Sequence, residues 1–165
     1  MKKSQPARKS RRAGRTDLFS GEGVAFLASQ VGAHSSRVWN DRLREAGLES
    51  RSVMLFWNVA TAQGRSQREL AEALRLPPSR VVDLIDALEA QGWLERRTKA
   101  NDRRTHELYL TDRGQELLDQ IMAIAAAHEQ EFTSGLEPQE RIALAKLLRK
   151  VAANQALLAR VHPDF

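Results

Sequence analysis

The side chains in this sequence best suited to chemistry are arginines placed to grip an anion or a base edge: Arg80, the pair Arg96 and Arg97, and the pair Arg103 and Arg104. A guanidinium is planar and stays charged. Its five N–H donors form a fork that fits the O6 and N7 of guanine or two oxygens of a phosphate. Bond-making chemistry lacks its usual residues. The chain has no cysteine, which excludes thiolate nucleophiles, cysteine zinc sites, disulfides and thiol redox sensing. Among the four histidines, His34, His106, His128 and His162, none shares a helical face with a second ligand at i+4, so structural or surface roles are expected of them. No Gly-rich phosphate loop or nucleophile motif is present. The expectation is a non-enzyme without metal or cofactor.

The net charge of +5 is unevenly spread. Residues 1–16 carry Lys2, Lys3, Lys9 and four arginines with no acid, so the rest of the chain is net −2. The high pI belongs to the tail, and any anion-binding surface on the body must come from local arrangement. Residues 1–16 are almost free of apolar side chains and read as disordered. Two readings of that tail stay open: an arm that follows phosphates or enters a minor groove, and a solvated extension. No run of about 18 apolar residues exists, so no membrane span is expected. No apolar segment follows the basic start as a secretory signal requires. A cytoplasmic, nucleoid-associated protein is expected.

The elements that must position the arginines follow from periodicity. Leu27, Val31, His34, Val38 and Arg42 recur at helical spacing, and Gly47 ends that helix. A second helix runs from about Arg51 to Ala62, with Val53, Phe56, Val59 and Ala60 on one face. Ser66-Gln67-Arg68-Glu69 is a capping box, and Leu70, Ala71 and Leu74 form the buried face of the short helix it opens. Pro78 suits the first position of the next helix, where its missing N–H costs nothing. That helix buries Val81, Leu84, Ile85 and Leu88 and stops at Gly92. From Thr105 to Leu110 the pattern alternates with period two, with Leu108 and Leu110 on the side of His106. Trp93–Arg97 therefore pairs with it as a β-wing, with Thr98–Arg104 as the tip. Thr111 caps a long helix to about Thr133, striped with Leu117, Ile121, Ile124, His128 and Phe132. Glu137 and Pro138 open a last helix carrying Ile142, Leu144, Leu147, Leu148, Val151 and Leu158.

The fold class expected is mainly α with a small β-wing. It is a winged helix-turn-helix with long N- and C-terminal dimerisation helices, whose second short helix enters a major groove. The divisions are a tail at 1–16, an N-terminal dimerisation helix at 17–47, the winged module at 48–111 and C-terminal dimerisation helices at 112–165. The terminal helices carry more apolar surface than the winged core can cover, and a second copy of the chain covers it most simply.

Residues 66–114 resemble the MarR family of bacterial transcriptional regulators. The resemblance runs through the Ser66–Glu72, Leu76–Val82 and Asp86–Arg97 stretches, then Asn101-Asp102-Arg103-Arg104 and Leu110-Thr111-Asp112-Arg113-Gly114. Any one stretch is weak; the ordered set, over about 50 residues, is specific. It implies a homodimeric regulator, a repressor more often than not, on pseudo-palindromic double-stranded DNA, with a small aromatic or phenolic effector that lowers DNA affinity in many members.

On that basis the recognition helix presents Ser79, Arg80, Val82 and Asp83. Arg80 reads a guanine, Val82 meets a thymine methyl, and Asp83 either accepts from cytosine N4 or restrains Arg80. The resemblance sends Arg104 into the minor groove, braced by Asp102. Arg96, Arg97, Lys99 and Arg103 add phosphate contact, and Ser66 and Gln67 meet phosphate at a helix N-terminus. An effector pocket is expected between His34 and Val38 of the first helix and Met54, Trp57 and Asn58 of the second, unless His34 and Trp57 serve only packing. The competing classes are a winged-helix protein-interaction module and a weakly specific nucleoid-type binder driven by the tail.

Overall fold

Helix stop signals and one alternating segment account for the order of elements. The computed structural model describes residues 23–99 and 102–157, with backbone alone at 102–104. The basic tail, Ala100, Asn101, Leu158 and His162 lie outside the described residues. The helices are α1 (Val24–Glu45), α2 (Ser50–Ala60), α3 (Gln67–Leu74), α4 (Pro78–Ala90), α5 (Asp112–Phe132) and α6 (Pro138–Asn154), and the strands are β1 (Leu94–Lys99) and β2 (Asp102–Leu110). The architecture is mainly helical with one two-stranded antiparallel sheet, the winged helix-turn-helix order.

The chain divides into two compact units, residues 1–39 and 40–165. What is described of the first is α1 as far as Trp39, whose Val24, Phe26, Leu27 and Val31 are exposed. The second holds the core: Leu43, Leu55, Phe56 and Val59 from the helices before the turn, Leu70 and Leu74 of α3, Val81, Ile85 and Leu88 of α4, Leu94 and Leu108 of the wing, and Leu117 and Ile121 of α5. Arg42 pairs with Glu131 and ties the end of α1 to α5. Three stops are glycines in the left-handed region, Gly47, Gly64 and Gly92, where a side chain would be strained.

The structure departs from the sequence reading in several places. Leu55 is fully buried, although the spacing predicts burial only of the Val53–Val59 face of α2; a helix enclosed on two sides hides more than one stripe. Leu84 is only half-buried. The wing strands are longer than expected, reaching Lys99 and starting again at Asp102, so Arg103 and Arg104 belong to the start of β2 and not to a loop. The pairing slips between Thr98 and Lys99, since Thr98 faces His106 while Lys99 faces Asp102. The extra residues on β2 form an irregularity of the kind that re-aims a strand end. Helix α6 buries none of its residues.

Candidate nucleic-acid interface

The helix-turn-helix is set by local chemistry at both of its starts. Ser66 has extended backbone geometry; its hydroxyl accepts from the Glu69 amide at 3.3 Å, and the Glu69 carboxylate accepts from the Ser66 amide at 2.8 Å. These two bonds satisfy donors that the helix itself leaves unpaired. The Ser66 amide, together with the Ser66 hydroxyl, which also donates to that carboxylate at 2.8 Å, holds the Glu69 carboxyl below its ordinary value near 4.5. A depressed carboxyl contributes stability that is present above its unfolded pKa and is lost as pH falls through the folded one. Ser66→Ala should therefore destabilise the protein by about 1 kcal/mol at neutral pH, and the gap to wild type should narrow below about pH 4. Urea titrations of both proteins at neutral pH and in mild acid measure this; a gap that stays constant shows that the Ser66 hydroxyl acts through the Glu69 amide and not through its carboxylate.

Helix α3 ends at Arg75, whose backbone is left-handed at φ 54°. This conformation costs a residue with a Cβ roughly 1–2 kcal/mol. Pro78 then starts α4 with the geometry it already holds. Val81, Ile85 and Leu88 seat α4 on the core, so Ser79, Arg80, Val82 and Asp83 are all exposed on its first turns. Arg80 has no carboxylate partner among the described residues. Arg65 and Arg75, exposed at the two ends of α3, carry no motif that singles them out in the sequence.

The wing is anchored beside α3. The Gly64 amide donates to the Leu108 carbonyl at 2.9 Å, and the Leu108 amide to the Arg65 carbonyl at 3.0 Å; Ser66 bridges to Glu107. Of the expected phosphate ligands of the wing, Arg96, Arg97 and Lys99 are engaged within the protein. Arg97 donates from Nε to Glu95 at 2.7 Å and lies 4.4 Å from the Tyr109 ring centroid. Tyr109 donates its hydroxyl to Glu107 at 3.0 Å, and this bond, with burial, pushes the phenol above its ordinary range. Lys99 stands 3.7 Å from Glu107. Arg96 is expected at a phosphate, but its guanidinium is held by Asp86 and Glu89 of α4. Arg97 remains half-exposed and Arg96 does not. Asp102, Arg103 and Arg104 are placed by backbone at the far end of β2. These side chains lie outside the described part.

Met54, Trp57 and Asn58 are half-buried on α2, and Asn58 donates to the Met54 carbonyl at 2.9 Å within the helix. His34 is exposed and Val38 half-buried on α1. A cavity of about 400 Å³ lies on the opposite side of α2, against Leu48, Val53, Phe56, Leu88, Trp93 and Leu117. At about 100° per residue, the helix turns Ser52, Val53 and Phe56 to this cavity and Met54, Trp57 and Asn58 away from it. Among the described residues no helix is long and apolar enough to cross a membrane, and no group of three or more His, Asp or Glu is placed to hold a metal.

A capped short helix, a tight turn, a second helix with an exposed start and a two-stranded wing together define a winged helix-turn-helix protein. A model of the MarR family matches residues 46–105. The wild-type MarR of E. coli in its apo form is 25% identical, with a TM-score of 0.67 over 78% of this chain and 96% of that one. The transcriptional repressor CouR bound to a 23-mer DNA duplex is 26% identical, with a TM-score of 0.70 over 87% and 99%. A point mutant of MepR from S. aureus, at 21% identity, shares the fold with a TM-score of 0.71 over 81% and 98%. Residues 46–105 thus resemble the MarR family, and the chain shares the winged helix-turn-helix fold of these proteins.

Proposed function

We propose that the protein is a sequence-specific DNA-binding transcriptional regulator, a repressor that acts as a homodimer on pseudo-palindromic sites. The observation that carries this is the exposed start of α4: it presents Ser79, Arg80, Val82 and Asp83, with Arg80 unpaired among the described residues. A helix presented this way fits a major groove, and a free arginine on it is the side chain that reads guanine best. CouR, a relative of similar length and fold, is a repressor seen on a 23-mer duplex. Arg104, with Asp102, serves an adjacent minor groove, and the Ser66 and Gln67 end of α3 serves a phosphate.

Dimerisation is supported by α6, on which Ile142, Leu144, Leu147, Leu148 and Val151 are all exposed. A run of large apolar side chains with no intramolecular cover marks an association surface. Release by a small aromatic or phenolic effector completes the reading. The cavity against α2 and the C-terminal end of α4 has a volume within the usual range for such molecules, about 300–1,000 Å³.

Arg80→Ala tests the base-reading role. It should cost about 1–3 kcal/mol per half-site and relax preference at one base pair of each. Selection of preferred sites from a random duplex pool by wild type and variant reads both effects. Equal losses on every sequence would reduce Arg80 to a phosphate contact. Arg104→Ala should lose affinity most on A·T-rich flanks, where the narrow groove attracts a cation.

A further inference from the structure

Helix α4 has an electrostatic problem as a recognition element. Along Pro78–Ala90 it carries one cation, Arg80, against Asp83, Asp86 and Glu89. A duplex presents one negative charge per about 1.7 Å of axis, so uncompensated carboxylates on this helix oppose docking.

Arg96 of β1 answers two of the three. Its Nη2 pairs with Asp86 and its Nη1 with Glu89. The Glu89 carboxylate also accepts from the Arg96 backbone amide at 3.3 Å. With the Gln67 amide turned so that its oxygen faces Arg96, that oxygen accepts from Nε at 2.6 Å and from Nη2 at 2.8 Å. One guanidinium thus joins the first residue of α3, two turns of α4 and the first strand of the wing. Its side chain is only 20% exposed. A fork of donors in fixed geometry can serve all three partners, which an ammonium cannot.

Resting on the DNA-binding reading, we propose that Arg96 is a positioning residue and a charge mask, and is not a phosphate ligand. It fixes the angle between α4 and the wing, and its single positive charge offsets half of the negative charge of Asp86 and Glu89, so that α4 can approach a polyanion. Arg97 and Lys99, each with a single carboxylate partner on the wing itself, are not constrained to α4 in this way.

The test compares Arg96→Met with the double variant Asp86→Asn, Glu89→Gln, in which Arg96 is kept. The probes are a duplex that the wild-type protein selects from a random pool and a scrambled duplex of the same composition, titrated with salt in an anisotropy assay. Arg96→Met should bind the selected duplex at least about 30-fold more weakly, as both acids are unmasked against the phosphates. Its slope of log K against log salt should stay within about 0.3 of wild type, because no phosphate contact is lost. The double variant should do the reverse. Its slope should steepen by about 1.8 for the dimer, as the freed guanidinium of each protomer takes up a phosphate. Its preference for the selected over the scrambled duplex should fall about tenfold, as α4 is no longer pinned to β1. The proposal is overturned if Arg96→Met flattens the slope by about 1.8 for the dimer while the double variant leaves it unchanged; Arg96 would then already sit on a phosphate. Should Arg96→Met not fold, the double variant decides alone, since it leaves no unpaired acid. A wild-type protein that selects no sequence from the pool sinks the regulator reading itself, before any variant is compared.

Discussion

Leu147→Asp is expected to convert the protein from a dimer to a species of about 18.6 kDa and to lower its melting temperature. Leu147 is 61% exposed on α6, and its neighbours Ile142, Leu148 and Val151 are each more than half exposed. Burying a leucine at an interface is worth about 1.5–3 kcal/mol, and a carboxylate placed there without a partner costs several more. Both terms count twice in a symmetric pair. Sedimentation of wild type and variant at micromolar concentration separates the outcomes. A wild-type protein that sediments as a stable folded monomer removes the dimer, and with it the case for palindromic sites. In the expected outcome, the variant also loses the affinity that comes from engaging two half-sites at once.

Gly114→Ala is expected to destabilise the fold by about 3 kcal/mol, the upper end of the range for overpacking. Gly114 is buried in the first turn of α5, and a Cβ there would stand 2.1 Å from the Trp93 carbonyl oxygen and 3.1 Å from its carbon. The obstacle is backbone, so no rotamer change relieves it. The same junction is held by Thr111, whose hydroxyl donates to the Gly92 carbonyl at 2.6 Å and accepts from the Gly114 amide at 3.0 Å. Moving α5 away from Trp93 would break that cap as well, and would shift the base of the wing. Gly135→Ala is the control, since a Cβ at Gly135 meets nothing within 4 Å; its effect should stay within about 0.5 kcal/mol. Urea unfolding of the three proteins checks the prediction. Equal stability for both variants would show that α5 is free to shift, and that the close approach does not hold the wing in place.

Features that depend on a few neighbouring residues were legible in the chain alone. The Ser66 and Glu69 box, Pro78 at the start of α4, Thr111 at the start of α5 and the stops at Gly47 and Gly92 are all found where the chain's chemistry puts them. Caps and turns are made from groups within about four residues of each other, so reading the chain locally is enough. The buried stripe of α3 follows from the same local period. Which side chains meet across the fold was settled by packing. Arg96, Arg97 and Arg104 carry identical charge and sit within one basic stretch. A long flexible stem lets an arginine choose among partners that the period of a strand does not rank. Only the fold brings Asp86 and Glu89, ten and seven residues earlier in the chain, against Arg96. Only the fold turns Val53 and Phe56 to the cavity and leaves Met54, Trp57 and Asn58 on the other side of α2. Gly114 is the sharpest case. Its place in a helix with ordinary geometry gives no local reason for glycine, and the reason is a carbonyl 21 residues away that packing presses against it.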